Sequence, residues 1–195
     1  MAYHQLTSTN TDALIIGNVK IQVATYDSAY TTIASVASAV TDLGTGMVSP
    51  VKHNVEKYTV QAGNAPDPLE GIANETFTIS GELFEFTVAN IATAWGGIVT
   101  TATAITTTKS YLSGGGKADM TPKTFLLTNT RVVAGATQQT NIVVWKAYMT
   151  NGIEMTIKSD NDTNPITILP FEIEGVLDGT RTAGNQLFMI EKWLD

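Results

Sequence analysis

The 195-residue chain contains no cysteine, which excludes disulfide staples and thiolate metal centres. It has two histidines, His4 and His53, far apart and without an H-x-x-x-H pair. A catalytic triad would have to use one of them, and no G-x-S-x-G nucleophile elbow is present. Charge is scarce as well, 15% of residues against the usual quarter. Sparse charge on a folded chain suggests that much of its surface meets other protein. The first sixteen residues, MAYHQLTSTNTDALII, show neither a basic leader nor a long apolar run. No signal peptide or membrane anchor is expected there, and folding in a cytoplasm is. The net charge of −7 argues against binding nucleic acid through its phosphates, which calls for clustered Lys and Arg.

What is present is threonine, about one residue in six, a side chain suited to pleated and half-exposed strands. The length fits one domain, residues 1–195, able to bury roughly 70% of its unfolded surface. Met1–Asp12 is polar and aperiodic, an arm. Val19, Ile21 and Val23 alternate with polar residues, so 13–25 is predicted as a strand. Residues 26–40 fit a loop followed by a strand or short helical turn. Strands are predicted at 51–62 and 74–86, flanking an insert, 63–71, rich in Gly, Asn, Pro and Asp. In the first, Val55 and Lys57 share one face and Glu56, Tyr58 and Val60 the other. In the second, Phe77 and Ile79 oppose Thr76, Thr78, Ser80 and Glu82. The apolar set then shifts toward Phe84 and Phe86, making Gly81 a bulge candidate.

Val88, Ile91, Ala92 and Trp95 recur at helical spacing, so a short helix over 87–95 is predicted, ending at Gly96-Gly97. An Ala/Thr/Ile tract and a Gly-rich loop make 98–120 an excursion from the core. Further strands are predicted at 124–133, 142–149, 153–158, 165–176 and 186–193, with turns at 135–140, 159–164 and 178–185. Asn151-Gly152 is the sharpest two-residue hairpin signal. The fold class expected is mainly β, a β-sandwich or partly open β-barrel with one short packed α-helix.

Chemical motifs mostly fail on inspection. Asp160–Asn164 opens like a calcium loop, but Pro165 stands where Gly is needed and Phe171 where a bidentate Glu belongs. Gly114-Gly115-Gly116-Lys117 lacks the first Gly and the Ser/Thr of a phosphate loop. Glu172 and Glu174 share a strand face, where solvation is the commoner role than acid–base work. Trp95, Trp145 and Trp193 lack the basic neighbourhood of a base-stacking platform and suit core or interface anchoring. No enzyme, cofactor or metal site is expected.

The order of signals in Thr41–Gly97, TDLGTGMVSPVKHNVEKYTVQAGNAPDPLEGIANETFTISGELFEFTVANIATAWGG, resembles the major tail-tube proteins of long-tailed bacteriophages. In those proteins an "LG" lead-in precedes a strand ending in an "AG" loop. An "E-T-F-T-I"-type strand and a "V-x-N-I-A-x-A-W-G-G"-like helix follow. GIEMTIKSDNDTNPITILPFEIEGVLDGT and QLFMIEKW are similar to their closing strands, so the resemblance spans about two-thirds of the chain.

The resemblance implies a structural virion protein of the tail, made in the host cytoplasm. Its copies join edge to edge in rings of six that stack into a tube for DNA ejection. The partners implied are other copies of the chain and tail proteins such as the tape measure, terminator and baseplate. Double-stranded DNA would pass without specific binding. The loop at Asn64, Ala65, Pro66, Asp67, Pro68, Leu69 and Glu70 is then the candidate ring-stacking element. Thr76, Thr78, Ser80, Glu82, Glu172 and Glu174 are the candidate lumen-facing residues, giving an acidic lining along which DNA slides. The alternatives are another virion β-sandwich module (tail terminator, hub or capsid decoration protein) or a carbohydrate-binding sandwich.

Overall fold

The computed structural model describes residues 18–60, 69–84, 87–95, 99–106, 109–116, 119–133, 136–154 and 168–194. It is mainly β, as expected. The elements are β1 (Asn18–Thr25), α1 (Ile33–Ala37), β2 (Thr41–Val60), β3 (Leu69–Leu83), α2 (Val88–Ala94), β4 (Val99–Thr106), β5 (Lys109–Gly114), β6 (Lys123–Val133), β7 (Ala136–Met149), β8 (Leu169–Gly175) and β9 (Phe188–Leu194). Seven strands form one antiparallel sheet in the order β6-β1-β2-β3-β8-β7-β9, and β6 also pairs with β7. Six of them therefore close into a ring, and β9 is appended to the outer part of β7.

Alternation drives the closure. Val19, Ile21 and Val23 of β1, Phe77, Ile79 and Leu83 of β3, Phe125 and Leu127 of β6, Ile142 and Val144 of β7, and Phe171 and Ile173 of β8 all point inward and fill one core. Ile91, Ala94 and Trp95 of α2 belong to the same core. Thr87 caps that helix by accepting from the Asn90 amide at 3.1 Å. Trp95 Nε1 donates to the Asn151 carbonyl at 2.9 Å and Asn90 Nδ2 to the Leu43 carbonyl at 3.3 Å, so the helix is pinned at both flanks.

A second, smaller core lies outside the ring. Leu126, Val143 and Trp145 point away from the main core and are covered by Ile33 and Val36 of α1, with Tyr30, Val40 and Met189 alongside. Thr32 and Ser35 form a capping box that starts α1. The change of side along β7 has a local cause. Lys123 pairs with Ala147 but Phe125 with Val144, so β7 carries one extra residue. At that bulge the neighbour of β7 changes, from β9 along 138–144 to β8 along 147–149.

Several expectations need correction. Of the alternatives for 26–40 the short helical turn is the one present, as α1, but β2 begins at Thr41, ten residues before the predicted start at 51. Residues 136–140 are strand, not turn, because Gln138 and Thr140 are buried side chains of β7. Asn151-Gly152 makes no two-residue hairpin, and Gly152 lacks the positive φ such a turn requires. Asn151 instead docks sideways on β8. Its Nδ2 donates to the Pro170 carbonyl and its Oδ1 accepts the Glu172 amide, both at 2.9 Å. Ile153 and Glu154 are not strand.

Gly81 is no bulge. The irregularity lies opposite it, around the cis Ser49-Pro50 bond of β2. A Cβ on Gly81 would sit 2.3 Å from the Met47 carbonyl oxygen and 2.7 Å from the Phe171 ring, so close packing explains the glycine. The interior pattern continues to Leu83 without slipping. In the 98–120 excursion, β4 and β5 pair with each other and with no strand of the main sheet. The arm 1–12, Phe86, Gly96-Gly97, 155–158 and Asp160–Asn164 lie outside the described residues.

Candidate assembly surface

Strand lengths in the ring are unequal, and the excess projects. Among the described residues β1 pairs with β2 over 41–47, and β8 pairs with β3 over 77–83. Yet β2 and β3 stay paired out to Val60 and Leu69. Residues 54–60 and 69–76 therefore run on beyond the ring as a two-stranded arm. Both of its outer edges lack a strand partner among the described residues. An isolated hairpin of this kind is marginal in water, and open edges are templates for pairing.

The arm exposes apolar side chains among its polar ones. Ile72 is 57% exposed and Val60 53%, with Val55 and Tyr58 similarly placed. Register puts Val55 and Lys57 on one face and Glu56, Tyr58 and Val60 on the other, as the alternation predicts. The Tyr58 ring lies on Gly71, where an added Cβ would come within 2.4 Å of Cζ. Among the described residues β9 has β7 as its one strand neighbour, which leaves a third edge without a strand partner there. Phe188 at its start stacks on Phe77 at 4.0 Å, and His53 meets Phe188 edge-on at 5.3 Å. From that aromatic root the edges of β3 and β9 run on without a strand partner among the described residues. A cavity of about 190 Å³ lined by His53, Glu75, Gln186 and Phe188 lies there.

The structure brings the six polar residues Thr76, Thr78, Ser80, Glu82, Glu172 and Glu174 together. Their alternate neighbours fill the core, so all six stand on the outer face of β3 and β8, with Ser80 opposite Glu172 and Thr78 opposite Glu174. Glu172 accepts from Thr150 Oγ1 at 3.0 Å and from Ser80 Oγ at 3.5 Å. Lys52, Asn54 and Glu56 continue this face onto the arm. Along it, Glu56, Glu82, Glu172 and Glu174 outnumber a single lysine, Lys52. A groove of about 340 Å³, lined in part by Met47, Ser80, Glu82, Asn151 and Glu172, crosses the same face. α1 and its apolar cluster cover β6 and β7 instead, and among the described residues no helix covers the β2–β3–β8 side.

Of the residues expected in a stacking loop, Asn64, Ala65, Pro66, Asp67 and Pro68 lie outside the described residues. Leu69 and Glu70 are not loop. They pair with Val60 and Thr59 as the first residues of β3.

Sequence reasoning missed a buried polar node in the loop between β8 and β9. Asp178 and Arg181 pair at 3.0 Å with side chains 1% and 6% exposed. Asp178 also accepts from Thr180 Oγ1 at 2.6 Å and Tyr26 Oη at 3.0 Å. Arg181 donates to the Tyr30 carbonyl and lies over the Trp145 ring, 3.8 Å from its centroid. Burial pushes the Asp178 carboxyl up, but Thr180, Tyr26 and the Arg181 charge outweigh it and hold it below its ordinary value. At the surface, Asp42 is also held low, chiefly by its hydrogen bond to Lys20 at 2.9 Å.

Among the described residues no cluster of three His, Asp or Glu could hold a metal, and no helix is long and apolar enough to cross a membrane. No family model matches the chain, and no curated protein does. Among solved structures, a chain of the cryo-EM structure of the anti-feeding prophage (AFP) baseplate, 6-fold symmetrised, is similar at a TM-score of 0.44 and 8% identity. That alignment covers 95% of this chain and 97% of that one. Likeness at this level leaves function to the chain's own geometry.

Proposed function

We propose that this chain is an architectural subunit of a phage tail, not an enzyme, and that its copies form rings that stack into a tube. The observation that carries the reading is the β2–β3 arm: a hairpin that extends past the paired part of the ring, exposes apolar side chains and has no strand partner on its outer edges among the described residues. A monomer gains nothing from such an arm, whereas a ring pairs each edge with the next copy and removes the liability. Heterologous contacts along the axis then propagate rings into a filament. The acidic outer face of β3 and β8 suits a lumen, since carboxylates repel the DNA backbone and let it pass. Rings of six and contacts with tape-measure, terminator and baseplate proteins follow from the tail-tube resemblance.

Negative-stain microscopy of the concentrated protein tests this. Hollow tubes or stacked rings are expected, and removal of Asn64–Pro68 should leave folded subunits or rings without long tubes. A protein that stays monomeric by mass at high concentration, with no rings in the images, would sink the proposal. Tubes of unchanged length after the deletion would remove the stacking role alone.

A further inference from the structure

The Asn151-Gly152 pair makes no hairpin, and its chemistry is otherwise unused. We infer that Asn151 is a latent deamidation site, kept intact by the docking of its side chain on β8. The reaction needs only water. The Gly152 backbone nitrogen attacks Asn151 Cγ, the amide nitrogen leaves as ammonia, and water opens the resulting succinimide to aspartate or isoaspartate. Gly152 is the least hindered residue that could follow an asparagine, and it is exposed in this chain. An added Cβ there would meet nothing within 4 Å. The sequence contains no second Asn-Gly pair.

The fold opposes the reaction through three contacts. Asn151 Nδ2, the leaving nitrogen, donates to the Pro170 carbonyl, and Oδ1 accepts the Glu172 amide. The Asn151 carbonyl accepts from Trp95 Nε1. Together they fix both the side chain and the peptide unit that must rotate for attack. The reaction therefore proceeds from conformers in which β8 has opened locally.

Conversion is not silent. Aspartate at 151 loses the donor to Pro170 and aims a carboxylate at a carbonyl oxygen. Isoaspartate adds a methylene to the main chain and moves the acceptor of Trp95. Either product adds negative charge to the groove that already holds Glu82 and Glu172. The inference is independent of the tube reading.

Peptide mapping by mass spectrometry, with an isoaspartate-specific methyltransferase as probe, tests it on the full chain. Samples are held in mildly alkaline buffer, folded or in urea. Asn151 should survive at least about tenfold longer in the folded chain, and equal rates would overturn the inference. Gly152→Ala, which the space around Gly152 admits, should slow conversion in urea. Conversion of that variant at the parent rate would exclude the backbone-nitrogen route.

Discussion

The Arg181 guanidinium sits 3.8 Å from the centre of the Trp145 ring while its Nε donates to Asp178 at 3.0 Å. One cation thus joins the loop after β8 to the outer face of β7, and its bond to the Tyr30 carbonyl adds the segment before α1. Removing one partner of a buried pair strands the other charge, which costs about 3–5 kcal/mol. Arg181→Ala is expected to destabilise by that amount in urea unfolding. Replacing Lys20, whose ion pair with Asp42 is half exposed, should change stability by less than about 1 kcal/mol.

Asp178 also sets an acid limit. Its folded value lies below the ordinary 3.8, so the native state binds fewer protons than the unfolded chain in that window. Its contribution is complete above the unfolded value and is lost as pH falls through the folded one. The urea midpoint should therefore drop on acidification below about pH 4. Asp178→Asn should be less stable at neutral pH and show a shallower decline. An identical decline in parent and variant would assign the acid transition to other carboxylates.

Two glycines should behave differently when changed to alanine. At Gly81 the new methyl meets backbone, the Met47 carbonyl, as well as the Phe171 ring, and neither can swing away. At Gly71 the obstacle is the Tyr58 ring on the exposed arm. Overpacking of about 1–3 kcal/mol is expected for Gly81→Ala. A smaller loss is expected for Gly71→Ala, and thermal unfolding of the two variants compares them directly.

Ile72→Lys on the arm separates folding from assembly. The side chain is exposed and outside both hydrophobic clusters, so subunit stability should stay within about 0.5 kcal/mol. If the arm joins copies, sedimentable tubes should nevertheless be lost. Full assembly of this variant would move the contact away from that face of the arm.

Elements whose signals are local were legible in the sequence. β8 alternates strictly along Leu169–Gly175 because a ring strand has one face in the core and one outside. α2 announces itself through the Thr87 cap and the Ile91–Trp95 spacing. The six polar residues of β3 and β8 were recognisable as one class of position, and the register unites them on a single face. α1 was ambiguous because five residues give barely one turn of periodicity. The start of β7 was hidden because its buried side chains are polar. Gln138 is satisfied there by Arg131, at 2.6 Å from Nη2, a cross-strand pairing that no local pattern reveals.

The sequence by itself determined the class of this protein: mainly β strands, a scarcity of charge, no thiol chemistry, and a short helix within 87–95. These depend on side-chain period, composition and caps, which act over a few residues. Only the tertiary structure decided that β6 meets β7 to close the ring. It also decided that β2 and β3 outrun their neighbours as an arm, and that Asp178, Arg181 and Trp145 converge. Those depend on strand lengths, a bulge in β7 and contacts between residues far apart in the chain. Such contacts are fixed by how the whole core packs, and no short window of sequence contains them.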